Sequence, residues 1–320
     1  MAPQQAKQEK GLNMESTTLG GLTWVNIEQA TEAETEYLAK NYSFHPLDLD
    51  DCLSRIQRPK IDEYKDYLFL VFLFPVFYKE ARVTTSSQLS VFIGKDYLIT
   101  IHKGELKPLV KLFKECSIDG ETKQEHFEQG PGYLLYRIID RLVDYCLPIL
   151  NKIGDNIEDV DESIFSSQGV PRAIEELSTL RRDVISFRRI IWPMRAVVGS
   201  LEPKVRRFTK TDLTVYFGDM VDHVDKVWDA LDEYKEIIEG LHATHDSLLS
   251  YRVNDVLRVL TVLATIGTVL TVVASFYGMN VLLPGGVTPG GNPYTWIILA
   301  VLMLMLVAGM LFYFHRKHWL

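Results

Sequence analysis

The spacing of apolar positions changes along the chain. From residue 22 to 130, short apolar runs alternate with polar turns. "LTWVNIE" and "DYLFLVFLFPVFY" predict strands, the second apolar enough to be buried. "SQLSVFIGKDYLITIHK" predicts a hairpin turning at Gly94-Lys95. "TEAETEYLAKNY" predicts a helix with Thr31 as N-cap and Glu34 at the capping-box position, and "ELKPLVKLFKEC" a second helix. The pattern is that of an α/β domain with a mixed sheet.

From 131 to 203 the spacing becomes helical. One helix is expected from about Gly132 to Phe165, with Pro148 as a candidate kink, and another from about Pro171 to Leu201, with Pro193 as a second candidate kink. "SSQGVP" between them predicts a turn and an antiparallel hairpin. One arm is acidic (Asp155, Glu158, Asp159, Asp161, Glu162) and the other basic (Arg181, Arg182, Arg188, Arg189). Two solvated faces and an electrostatic element that attracts cations are both open readings.

No proline occurs from Lys204 to Leu283. Val221, Val224, Trp228, Leu231, Tyr234, Ile238, Leu241 and Leu248 recur mostly at steps of 3 and 4, which predicts one helix from about Thr211 to Phe276. At ~1.5 Å per residue it is roughly 100 Å long. A helix of that length needs other helices, or copies of itself, to pack against.

Its end is uncharged: "VLTVLATIGTVLTVVASF" over 259–276. A second apolar run covers 294–314, "YTWIILAVLMLMLVAGMLFYF". Each can cross a hydrocarbon core of ~30 Å. The short link at 277–293 makes them a transmembrane hairpin in a lipid bilayer. Arg252, Arg258, Arg316 and Lys317 flank the spans and the link has no Lys or Arg, so both termini are expected in the cytoplasm. Tyr294, Trp296 and Trp319 fall where an interfacial aromatic belt is expected.

The first span has two different faces. Asn254, Leu257, Thr261, Ala264, Thr268, Thr271, Ser275 and Gly278 form a stripe that is small or polar apart from one leucine. Val259, Val262, Ile266, Val269, Val273 and Phe276 lie opposite and suit lipid. The stripe suits helix packing or a water-filled pathway, and its ending in Tyr277-Gly278-Met279-Asn280 favours the pathway. The second span has no such stripe and is expected outside.

Composition narrows the function. A net charge of −8 argues against nucleic-acid binding. Cys52, Cys116 and Cys146 lack disulfide or zinc spacing and predict buried free thiols. Residues 1–21 are polar, with no signal-like apolar core, and are expected to be disordered. No P-loop, nucleophile elbow or dinucleotide fingerprint points to an enzyme. His242 and His245, three apart on the long helix, suggest a structural or solvated role before a metal site.

"YGMN" closing the first span resembles the CorA family of divalent-cation transporters, as do "NDVLRVLTVLATI", "FHPLDLDDCLSRIQRPKIDEYKDYLFLV" and the final "HRKHWL". The resemblance begins near residue 22 and implies a funnel-shaped homopentamer, with the long helix lining a pore and the α/β domains in the cytoplasm. It implies Gly278, Met279 and Asn280 as a selectivity motif for hydrated Mg2+ at the outer mouth. It further implies polar stations at Thr271 and Asn254 and an apolar gate at Leu257 and Leu260. Where the family has a bulky apolar residue, this chain has Thr268. Asp51 and Asp219 match an acidic pair that binds regulatory Mg2+ between subunits, and Asp50 and Asp140 match an adjacent site. The expected division is 1–21, an α/β domain at 22–130, a helix hairpin at 131–203, a stalk at 204–258, spans at 259–276 and 294–314 around a loop at 277–293, and a basic tail at 315–320. The loop lacks the acids common in magnesium-transporting members, which leaves a zinc or broad divalent transporter of the ZntB type, with proton coupling, as the alternative. A membrane-anchored cytoplasmic sensor is a more distant one.

Overall fold

The computed structural model describes residues 7–8, 11–53, 57–78, 83–164, 170–279 and 294–319. The chain divides into two compact units, residues 1–241 and 242–320.

The first unit is built on a seven-stranded sheet. Its strands are β1 (Lys7–Gln8), β2 (Met14–Leu19), β3 (Leu22–Glu28), β4 (Lys60–Glu63), β5 (Leu68–Tyr78), β6 (Val83–Ile93) and β7 (Tyr97–His102), in the order β1-β2-β3-β7-β6-β5-β4. Only β3 and β7 pair in parallel, so the sheet is mixed as expected. Residues 68 to 74 of β5 are all buried because both faces of the sheet are covered, which accounts for an unbroken apolar run in place of alternation. Phe69 and Val71 belong to the core shared with α1 (Glu32–Asn41) and α2 (Pro46–Leu53).

The expected disorder of the N-terminal segment does not extend to residues 14–21. β2 pairs antiparallel with β3 from Met14↔Ile27 to Leu19↔Leu22, and Met14 and Thr17 are buried. Gly20 and Gly21, at φ of 60° and 91°, make the two-residue hairpin turn, which requires positive φ at both positions. A polar strand pairs here because its partner supplies the apolar face.

Thr31 and Glu34 form the predicted capping box at the start of α1. The motif at Phe44 to Tyr67 folds into a knot of rings and one buried acid. Phe44 stacks on Phe92 at 4.1 Å. Tyr67 accepts from the His45 N–H at 2.8 Å and donates to Asp48 at 3.0 Å, and Tyr64 donates to Asp48 at 3.1 Å. Burial raises the Asp48 pKa against these two hydrogen bonds. Asp48 is therefore a structural acid, unlike its neighbours Asp50 and Asp51.

His102 closes a second polar knot. Its Nδ1 accepts from the Gly104 N–H at 2.9 Å, which leaves Nε2–H to donate to Asn26 at 3.0 Å. Burial lowers its pKa from 6.5 to about 4. The unfolded chain thus binds a proton that the fold rejects between those values. Stability supplied by neutral His102 is complete above pH 6.5 and drains as pH falls toward 4, by about 3 kcal/mol in all. Thermal melts between pH 7 and 4 should show a falling midpoint, and His102→Gln should flatten that slope.

Helices cover the sheet's other side. They are α3 (Lys107–Ile118), α4 (Gly120–Phe127), α5 (Pro131–Asp144), α6 (Cys146–Ile164) and α7 (Val170–Gly199). The helix expected from 132 to 165 is two helices, and the break is at Tyr145, ahead of Pro148. Proline has no N–H and its ring clashes with the carbonyl four residues back, at Asp144, where α5 ends. Pro193 is carried inside α7 without ending it. α7 is tied to the sheet: Asp183 accepts from the Thr84 N–H at 2.5 Å, and Ser186 donates to the Thr84 carbonyl at 2.9 Å. The helix hairpin is thus part of the same unit as the sheet, not a separate domain. The predicted turn at Ser166 to Val170 lies almost wholly outside the described residues.

The charged arms are not matched as one pair. Arg188 pairs with Asp232 and Arg195 with Asp225, both on the long helix α9 (Thr214–Tyr277), which follows the short α8 (Glu202–Val205). Phe217, Met220, Val224, Val227, Leu231, Ile238 and Leu241 are its buried seam, with Val221, Trp228 and Tyr234 half-covered beside it. Tyr234 sits over Gly154 of α6, where a Cβ would be 2.5 Å from its hydroxyl. Cys116 and Cys146 are buried and free as expected.

The second unit holds the rest of α9 and α10 (Thr295–Arg316), the two helices among the described residues that are long and apolar enough to cross a membrane. His242 and His245 each keep Nε2 enclosed without a hydrogen-bond partner. Trp319 folds back and stacks on Phe314 at 5.7 Å.

Candidate functional site

The predicted stripe stays open. Asn254, Leu257, Thr261, Ala264, Thr268, Thr271 and Ser275 are all exposed along α9. The opposite face is where the expectation needs correction. Val262 is 2% exposed, and Ile266, Val269 and Val273 are half-covered. Thr265, on the same side, shares a groove with Leu302, Met305, Leu306, Gly309, Met310 and Phe314 of α10. The middle of the bulky face therefore turns toward the second span, because α10 presents a matching apolar surface, while Val259 and Phe276 at its ends stay exposed.

The hydroxyls of the first span bond within the helix. Thr261, Thr265 and Thr271 donate to the carbonyls of Leu257, Thr261 and Gly267 at 2.7, 2.7 and 2.8 Å. Each O–H is used up, so the oxygen's lone pairs face outward from Thr261 and Thr271. Such oxygens accept hydrogen bonds from the waters of a hydrated cation. Leu257 and Leu260 are 51% and 58% exposed and place apolar surface near the foot of the stripe. At its other end the Gly278 N–H bonds to Ala274 and Ser275 at 3.0 and 3.2 Å and closes the helix, leaving Met279 55% exposed. A Cβ on Gly278 would lie 3.3 Å from the Ala274 carbonyl. The Tyr277 backbone ends α9, and Asn280 lies outside the described residues.

The predicted acidic sites are arranged differently from their sequence pairing. Asp140, Asp144 and His223 each bring one ligand atom within 4.8 Å of the others. His223 Nε2 lies 3.8 Å from Asp219, and its Nδ1 lies 3.7 Å from Asp144 with no hydrogen-bond partner. Burial, then the neighbouring Asp144 charge, raises the Asp140 pKa. An unsatisfied ring nitrogen among carboxylates is a donor set that fits a divalent cation bound directly or through water. Asp144 and His223 were not singled out from sequence. Their signal was present, since Asp140 and Asp144 are one turn apart on α5, as are Asp219 and His223 on α9. Adding 10-fold more Mg2+ or Co2+ should raise the melting midpoint of the protein, and Asp144→Asn should remove about half of that gain or more.

Asp50 and Asp51 are not members of this cluster. Asp50 is exposed on α2. Asp51 accepts from Lys60 at 2.7 Å, and Lys60 also reaches Asp62 at 2.5 Å. Burial works against the Lys60 ammonium, but these hydrogen bonds outweigh it and hold its pKa above the usual lysine range. A cation that binds Asp51 competes with this lysine for the carboxylate.

Comparison with known proteins places the chain in a family and supports its fold. The family described as CorA-like Mg2+ transporter protein matches residues 20–316. The cobalt/magnesium transport protein CorA of Thermotoga maritima is 29% identical over 308 residues, covering 93% of this chain and 83% of that protein. YfjQ of Bacillus subtilis is 30% identical over 301 residues, covering 92% and 89%. The complete structure of the CorA magnesium transporter from Methanocaldococcus jannaschii shares the fold, with a TM-score of 0.81 at 23% identity over 93% of this chain and 92% of that chain. A match over residues 20–316 takes in almost the whole sequence, so the chain belongs to the CorA-like Mg2+ transporter family, a family of ion transporters and not of enzymes.

Proposed function

We propose that this chain carries Mg2+ across the inner or plasma membrane through a pore lined by the open stripe of α9, in a homopentamer. The observation that carries the reading is the exposure of Thr261, Thr268, Thr271 and Ser275 on a membrane-spanning helix whose other face is turned to α10. Hydroxyl oxygens facing lipid are costly, so copies of the same helix should surround the stripe and keep water inside it. The ion keeps much of its hydration, as Mg2+ prefers. Its waters donate to Thr271, Thr261 and Asn254, and the Tyr277-Gly278-Met279-Asn280 segment supplies main-chain and amide oxygens at the outer mouth. Leu257 and Leu260 close the path by excluding water. The basic flanks Arg252, Arg258, Arg316 and Lys317 favour both termini in the cytoplasm.

The regulatory reading rests on the acids. Asp51 of one copy and Asp219 of the next, with Asp50 and Asp140 beside them, would bridge through Mg2+ when it is abundant in the cytoplasm and hold the pore shut. Asp51→Ala with Asp219→Ala should then raise flux several-fold at high internal Mg2+ and leave it unchanged at low internal Mg2+.

A second reading, a Zn2+ or broad divalent transporter with proton coupling, is favoured by the acid-free segment 281–293. Purified protein in liposomes should decide. Saturable Mg2+ influx that is indifferent to a pH gradient is the expected result. Faster Zn2+ influx that rises with the gradient would replace Mg2+ by Zn2+ as the cargo. No flux of any divalent ion would return the chain to a membrane-anchored sensor.

A further inference from the structure

A cleft of about 830 Å3 opens in the first unit between α7, α9 and the residues just before β4. Its chemistry is unusual for a chain of net charge −8. Arg58, Arg188, Arg189, Arg195 and Lys235 all line it. Two tryptophans share its wall. The rings of Trp192 and Trp228 are 4.9 Å apart and tilted by 47°, and Trp192 is 60% exposed.

The cations fall into two groups. Arg188 pairs with Asp232 and lies 4.4 Å over the Trp228 ring. Arg195 donates to Asp225 at 2.5 Å and lies 5.6 Å from Trp228 and 5.9 Å from Trp192. These two guanidiniums are neutralised and fix the indoles in place. Lys235 is 3.6 Å from Glu239. Arg58 and Arg189 are exposed, and neither has a carboxylate partner among the described residues. Their charge is left for an incoming anion, and the guanidinium fork matches paired phosphate oxygens. Pro193, also on the wall, has no N–H, so the Arg189 carbonyl loses its usual helical donor and remains an acceptor.

A ligand that uses all of these groups needs a flat ring, an N–H at the ring's edge and more than one negative charge. Inorganic phosphate leaves the tryptophan unused, and a neutral aromatic leaves the two free guanidiniums unused. The cleft's volume falls within the ~300–1,000 Å3 of small-molecule sites. We propose that this cleft binds an adenine nucleotide, with the base stacked on Trp192, its amino group toward the Arg189 carbonyl and its phosphates between Arg58 and Arg189. The site is distinct from the α9 stripe and from the Asp140 cluster. Trp228 and Lys235 belong to the helix that carries the stripe, so occupancy bears directly on α9.

Equilibrium dialysis of the full-length protein in detergent, with labelled ATP and a chelator present, tests this without any ion flux, so its failure leaves the transport reading untouched. The expected result is saturable binding that weakens about tenfold or more in Trp192→Ala and in Arg58→Glu with Arg189→Glu, and stays unchanged in Arg181→Glu. Absence of saturable binding, equal binding in the cleft variants, or equal competition by tripolyphosphate would overturn the proposal. Photolabelling of the wild type with 8-azido-ATP needs no variant. Label on residues 185–196 supports the site, and label confined to other segments removes it.

Discussion

Trp24→Ala should lower the melting midpoint of the full-length protein by about 10 °C. The Trp24 side chain is fully buried in β3, where the parallel pairing with β7 begins to define the sheet's centre. Its ring meets Phe113 of α3 edge-on at 5.0 Å and 88°, and Phe127 of α4 lies 6.5 Å away. Its N–H donates to Thr100 at 3.0 Å. The substitution removes the largest side chain between the sheet and two helices and opens a cavity that the paired strands cannot close. Such changes cost about 3–5 kcal/mol, and each kcal/mol moves the midpoint of a unit this size by about 2–4 °C. Trp24→Phe keeps the ring contact with Phe113 and gives up the N–H, so its shift should be less than half as large. Thr100 still donates to Asn26 at 2.8 Å in that variant, and the polar knot around His102 survives. A shift below about 3 °C for Trp24→Ala would mean that the helices do not depend on this anchor.

The α/β sheet was legible wherever periodicity and turn chemistry agreed. The run through β5, the Gly94-Lys95 turn and the Thr31 cap are local signals, and each acts over a few residues. β2 was missed because a polar strand carries no periodic apolar face of its own. The cue was the Gly20-Gly21 pair ahead of "LTWVNIE", which only makes sense as a hairpin turn if a strand precedes it. Steps of 3 and 4 predicted the long helix, and the stripe's residues are exposed on it, but the middle of the opposite face is turned toward α10, which sequence did not predict. Lipid and a second apolar helix demand the same residues, so sequence alone cannot separate them. Of the candidate cluster Asp140, Asp144 and His223, only Asp140 was singled out from sequence. The resemblance pointed to Asp140 and Asp219, whereas Asp144 and His223 enter through tertiary packing of α5 against α9. Lys60 is the opposite case, a basic residue inside the matching motif that occupies the acid beside it.

The two faces of the first span make a sharper test than any single pore residue. Thr265 and Thr271 are chemically alike, and each donates its hydroxyl proton to the carbonyl one turn back, at 2.7 and 2.8 Å. They differ only in what lies outside the helix. Thr271 is exposed on the stripe, while Thr265 is turned toward α10. Replacing either with valine keeps the shape and removes the oxygen. In a pentamer, Thr271→Val takes five acceptors from the path of a hydrated ion. At about 0.5–1 kcal/mol for each lost hydrogen bond, the barrier rises by about 2.5–5 kcal/mol, which lowers Mg2+ flux about 100-fold or more. Thr265→Val removes five oxygens from a groove lined mostly by leucine and methionine, where they accept nothing from the ion, and flux should stay within about twofold. Flux into liposomes, normalised to folded protein, reads both. If the two variants lose flux equally, water reaches both faces of the helix and the pore is not where the stripe puts it. If neither loses flux, the ion crosses without touching α9 at this depth, and the open row of hydroxyls serves only to pack one copy against the next.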